Sequence, residues 1–188
     1  PPPRGVQLRG PPTARAGGSA WSRWPAHPVR PALNVRAPGP AAPVACPAGD
    51  RICKWACRPC SASHGRHRAG GTIAVRRGAL AEASRMGILA MDETDRITEW
   101  QEKPKQPKSD LASMGVYVFS KRALRKWLSE DRIDFGRHVI PAMLDGGARV
   151  FVYRFAGYWQ AVGTVQSFRA AHLGPLAGHR KPSPSGNL

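Results

Sequence analysis

The sequence predicts an α/β fold. Strand-like and helix-like stretches interleave from about residue 71 onward. The run Ser113 to Phe119 (SMGVYVF) is nearly continuous in apolar and aromatic residues, as a strand buried on both faces would be. Composition also breaks near residue 70. The first 70 residues hold 13 of the 19 prolines and 11 Lys/Arg against one acid, Asp50, whereas 71–188 hold 18 Lys/Arg and 11 acids. Pro, Ala, Gly and Arg are poor material for a packed core, so order is expected in the later part.

From Pro1 to Pro47 no period of 2 or 3.6 is sustained, which reads as disorder or extended coil. Ile73 to Val75 is a short apolar strand. Gly78 to Arg85 connects, with a helical turn at Ala79 to Ala83. Gly87 to Met91 is a second strand, Asp92 to Asp95 (DETD) a polar turn, and Arg96 to Gln101 the return of a hairpin. Pro104 and Pro107 fix the following loop. Ser120 can N-cap a helix over Lys121 to Leu128, with Leu124, Trp127 and Leu128 on one stripe. Asp134 caps a second helix carrying Phe135, Val139, Ile140 and Met143, which Gly146 and Gly147 end. Arg149 to Phe155 alternates as a half-buried strand would. Thr164 caps a last helix to Leu173, and the Pro/Gly/Ser-rich remainder reads as a frayed tail.

Cys57, Cys60, His64 and His67 form C-x₂-C-x₃-H-x₂-H, a spacing that invites a zinc reading. Their offsets place all four on one stripe of a single helix. Four side chains spread along ~15 Å of helix cannot converge on one tetrahedral ion. A core helix is therefore expected. Trp100, Trp127, Tyr153, Phe155 and Trp159 read as core and pocket wall.

The net charge of +17 raises a nucleic-acid-binding alternative. The Arg-rich first part accounts for it without a partner, so nucleic acid is not the expected one. No apolar run reaches the ~18 residues of a membrane span, and no n-region followed by an apolar h-region marks a signal peptide. A cytoplasmic location is expected, and the start at Pro1 reads as that of a fragment.

EASRMG at 82–87, EKP at 102–104, SMGVYVF at 113–119, DFGRHVIP at 134–141 and YWQAVGT at 158–164 together resemble the bacterial glucose-1-phosphate adenylyltransferase (ADP-glucose pyrophosphorylase) family. The likeness is close from Thr72 to Phe168. Upstream it is looser: Gly49, Asp50, Ile52 and Lys54 are similar to the family's GDHIYK, and His64 keeps the register. GGSAW at 17–21 resembles the stretch before the family's GTADA, where WPAHP stands at 24–28.

The resemblance implies a partial Rossmann-like nucleotidyltransferase (sugar-nucleotide pyrophosphorylase) domain at 49–173. It would follow a poorly ordered or degraded segment at 1–48 and precede a flexible tail at 174–188. The parallel sheet of such a fold would lack its amino-terminal neighbours and leave edges exposed. The resemblance also implies nucleotidyl transfer in glycogen biosynthesis. The phosphate of glucose 1-phosphate attacks the α-phosphorus of ATP and pyrophosphate leaves, with Mg²⁺ neutralising the developing charge. Lys103 would pair with the sugar phosphate and Glu102 would accept glucose hydroxyls. Ser113 and the backbone at Gly87 would complete the pocket. Asp50 would be one of two carboxylates on Mg²⁺, Lys103 and Asp50 being the catalytic pair.

Departures from the pattern imply impairment. The second metal carboxylate belongs in YWxDVGT, where this chain has Ala161. The glycine-rich, Arg-bearing loop that grips ATP and the β-helix domain of the family's homo-oligomer are not in the sequence, so that assembly is not expected. The alternative within the family is a non-catalytic remnant with at most sugar-phosphate binding.

Overall fold

The computed structural model describes residues 43–48, 51–53, 57–78, 80–129, 131–132, 134–162, 164–167 and 169. The stretches 17–21 and 24–28, Asp50 and the tail 174–188 lie outside them, as does most of the segment 1–48. The chain divides into two compact units. The larger is Pro1–Pro47 with Ala56–Phe155, and the smaller is Ala48–Trp55 with Ala156–Leu188.

In the larger unit the strands are β1 (Val44–Pro47), β3 (Gly71–Arg77), β4 (Gly87–Met91), β5 (Ile97–Glu102), β6 (Leu111–Phe119) and β7 (Val150–Arg154). β2 (Arg51–Cys53) and β8 (Trp159–Ala161) belong to the smaller unit. The helices are α1 (Cys57–Arg66), α2 (Lys121–Trp127) and α3 (Ile140–Asp145), with a short 3₁₀ turn at Leu80–Arg85. The class is α/β, as the interleaving predicts.

The sheet runs β5-β4-β6-β3-β7, and β1 lies along β6. The expected parallel sheet is not what these strands build: β3–β7 is parallel, while β1–β6, β3–β6, β4–β5 and β4–β6 are antiparallel. Chain connectivity explains part of this. β4 and β5 are joined by a tight turn, which only antiparallel strands allow. The two ends of this strand order touch at one point: Arg96, just before β5, bridges Phe151 of β7, and the Val152 N–H donates to the Asp95 carbonyl at 2.8 Å.

β6 is the centre, with Met114, Val118 and Phe119 wholly buried. β3 follows one edge of it throughout. The other edge is shared: Ala112 pairs with Ile88 of β4, and Val116 to Phe119 pair with β1. The fork falls at Ser113–Gly115, where the β3 pairing also shifts register and Gly115 takes φ of 70°. A bulge with a left-handed residue is what glycine permits here.

β1 lies inside the stretch read as poorly ordered. The four residues Val44–Pro47 are too few to show a period, and their order comes from pairing with β6.

α1 forms as predicted, with Cys60 and His64 buried. His64 Nδ1 and the buried Thr72 hydroxyl share a hydrogen bond of 2.9 Å, and His67 stacks on Phe151 at 4.4 Å. That stack buries the second face of β7, which is therefore covered on both sides at its start instead of simply alternating.

Ser120 caps α2, its hydroxyl accepting from the Ala123 N–H at 3.2 Å. The Asp134 cap also holds, accepting from the Arg137 N–H at 2.8 Å. The helix behind it differs from a regular one. Phe135–Val139 is a wide π-turn, and α3 begins only at Ile140. Pro141 has no N–H for the carbonyl four residues back, so the turn before it opens instead of closing regularly.

At the far end, the Ser167 N–H donates to the Thr164 hydroxyl at 3.1 Å, the predicted cap, and a helical turn follows; the rest of that helix is outside the described residues.

Candidate active site

The antiparallel register of the sheet assembles the predicted sugar-phosphate residues. Gly87 pairs with Glu102 across β4–β5. Ile88 pairs with Ala112 across β4–β6, and one step on in that register Gly87 is level with Ser113. Glu102, Gly87 and Ser113 thus form one row over three adjacent strands, at the fork in β6. Residues of one row share a face of the sheet. Lys103 follows directly, where β5 ends.

Each member is held by identifiable contacts. Ser113 is buried, its hydroxyl accepting from the Gly115 N–H at 3.2 Å within the bulge. The Lys103 N–H donates to the Met86 carbonyl at 3.0 Å, which fastens the end of β5 beside the start of β4. Lys103 itself has φ of 50°, a conformation that costs a non-glycine residue on the order of 1–3 kcal/mol. Its ammonium lies 3.5 Å from Glu102 Oε1 and remains about half exposed, at 48%, against 19% for Glu102. Burial pushes the Glu102 carboxyl above its ordinary range. The Lys103 ammonium opposes that shift, and the Asp134 carboxylate reinforces it.

The floor of the row comes from Trp100, read from the sequence as core and pocket wall, and from Gly136, to which sequence reasoning assigned no part in the site. The Trp100 indole N–H donates to the Gly136 carbonyl at 2.8 Å. A Cβ at Gly87 would run into the Trp100 ring, and one at Gly136 would run into the Glu102 carboxylate. Gly87 is thus required by close approach to a held ring, whereas Gly136 faces the movable end of the Glu102 side chain. Phe135, next to Gly136, packs on β6 through Phe119 and Tyr117, each with ring centroids 5.4 Å away. Such pairs contribute about 0.5–1.5 kcal/mol beyond their burial. The aromatic end of β6 therefore sets Phe135, Phe135 sets Gly136, and Gly136 sets Glu102. DFGRHVIP was visible as a motif, but nothing in it announces that its glycine faces a carboxylate 34 residues earlier.

The row offers a half-exposed ammonium for an anionic group and a carboxylate for hydroxyl donors, while Gly87 lies buried beneath the Trp100 ring. These are groups whose chemistry suits a small, polar, anionic molecule. The metal half differs. Among the described residues no group of three or more His, Cys, Asp or Glu is placed to hold a metal ion. In the smaller unit, β2 and β8 pair with Arg51, the residue after Asp50, opposite Ala161. Of the two positions expected to carry metal ligands, Asp50 lies outside the described residues, and alanine at 161 supplies no oxygen donor from its side chain. The donor set does not fit a two-carboxylate magnesium site. Among the described residues no helix is long and apolar enough to cross a membrane.

Residues 26–176 match the family model described as Nucleotidyl transferase. A glucose-1-phosphate adenylyltransferase of Clostridium acetobutylicum is 46% identical over 131 residues, 66% of this chain and 34% of that protein. One of Fusobacterium nucleatum is 43% identical over 135 residues, 69% of this chain and 35% of that protein. One of Lachnospira eligens is 42% identical over 129 residues, 66% and 30% respectively. The chain spans about a third of the length of the curated relatives it matches. With the family model matched over most of its length, the chain belongs to the nucleotidyl transferase family, a family of enzymes.

Proposed function

We propose that this chain carries the glucose 1-phosphate-holding part of a glucose-1-phosphate adenylyltransferase-type site and that its turnover is impaired. The observation that carries the reading is the row Glu102, Gly87 and Ser113 with Lys103 at its end. The name of the relatives gives the substrate class, and the row supplies matching chemistry. Lys103 meets the phosphate as a cation, Glu102 accepts from sugar hydroxyls, and Ser113 lines the pocket. Glu102 is already raised by burial, and an approaching phosphate would compete with it for Lys103.

The reaction of the reading is ATP plus glucose 1-phosphate giving ADP-glucose and pyrophosphate. Asp50 remains the candidate metal ligand, and Ala161 breaks the pair. This chain's own contribution is to bind and orient the attacking phosphate. The test is pyrophosphate release from ATP and glucose 1-phosphate in the presence of Mg²⁺. The expected result is background release. Release that Lys103→Ala abolishes would overturn the impairment while supporting the pocket.

A further inference from the structure

The first turn of α1 reads Cys57-Arg58-Pro59-Cys60. Residues three apart on a helix are neighbours, with Cβ atoms roughly 5–6 Å apart. A disulfide needs Cβ atoms about 3.5–4.5 Å apart. The remaining approach is available at this place in the helix. The first-turn amides have no intrahelical carbonyl to bond, and Pro59 has no N–H to lose. The two thiols are also unequal. Cys57 is partly exposed and Cys60 is fully buried. Arg58 beside Cys57 is exposed, a cation suited to an anionic reactant.

We propose that Cys57 and Cys60 form a reversible disulfide, a redox-modification site in which Cys57 attacks and Cys60 resolves, with a small anionic disulfide such as glutathione disulfide as oxidant. Burial pushes the Cys60 thiol up to about 12, which keeps it from competing as the first attacker.

The Cys57 thiol gives its proton to solvent, and the thiolate attacks one sulfur of glutathione disulfide. That S–S bond breaks, a Cys57–glutathione disulfide forms, and the departing glutathione thiolate takes a proton. Cys60 then gives its proton to solvent and attacks the Cys57 sulfur, releasing the second glutathione. Two protein thiols lose two electrons, and glutathione disulfide is reduced to two glutathione molecules. A bond closed by shifting a helix turn is strained, and strained disulfides are readily reduced again.

The test incubates the full chain with glutathione disulfide, alkylates the remaining thiols and maps tryptic peptides. Trypsin does not cut between Arg58 and Pro59, so one peptide carries both residues. The expected wild-type peptide is unalkylated, lacks two hydrogens and returns to the dithiol with excess glutathione. Cys60→Ser is expected to hold a glutathione adduct at Cys57 about tenfold longer than wild type. A wild-type Cys57 that stays reduced, keeps its adduct, or pairs with Cys46 or Cys53 would overturn the proposal. The wild-type map decides alone if the variant fails to fold.

Discussion

At the residue scale, Glu102 and Lys103 hold a strained and partly desolvated arrangement. A glutamate whose carboxyl is raised binds its proton more tightly folded than unfolded. Its stabilising contribution is therefore full below the ordinary carboxylate value and is lost as pH rises through the folded value. At neutral pH the buried charge is a cost that a neutral amide would not incur. Glu102→Gln should raise the thermal unfolding midpoint at pH 7–8, by on the order of 1–3 °C. The difference should shrink as pH falls through the carboxylate range, when the wild-type side chain is also neutral. Calorimetry across that range checks it, and a variant less stable at pH 8 would contradict it. Lys103→Gly should relieve the left-handed backbone and stabilise by up to about 1 kcal/mol in chemical denaturation, while removing the cation that the pocket needs.

At the element scale, the local signals in the sequence were sufficient for the hairpin, β6 and the caps. Asp92 illustrates why: its carboxylate accepts from the Thr94 N–H, the Thr94 hydroxyl and the Arg96 N–H, all within four residues. Ser120 and Asp134 likewise act within one turn. Strand order was not legible, because the pairing of β6 with β1, β3 and β4 joins residues far apart in sequence. The π-turn was missed although Pro141 signals it, since helical spacing of apolar residues survives a one-residue widening. For the site, the motif residues were legible, whereas their mutual row and the Gly136 floor depend on long-range contacts. Two glycine substitutions separate these roles. Gly87→Ala meets the Trp100 ring, which is fixed by its bond to Gly136, so it should destabilise by about 1–3 kcal/mol. Gly136→Ala meets the movable end of Glu102, so it should weaken sugar-phosphate binding with a smaller loss of stability. Urea unfolding beside a binding titration of each variant measures both.

At the scale of the whole molecule, the larger unit contains the row proposed to hold the sugar phosphate. The smaller contains the strand pair with Ala161, where the resemblance leads one to expect a carboxylate. Chemistry that would hold substrate and chemistry that would hold metal thus differ in how well this chain keeps them. The central claim concerns the first. Calorimetric titration of the folded chain with glucose 1-phosphate, for wild type and Lys103→Ala, tests it most directly. Loss of a charge-assisted contact should weaken binding about tenfold or more. The expected result is saturable binding by wild type and at least that loss in Lys103→Ala. Equal affinity in the two, or no binding by folded wild type at millimolar ligand, would contradict the account.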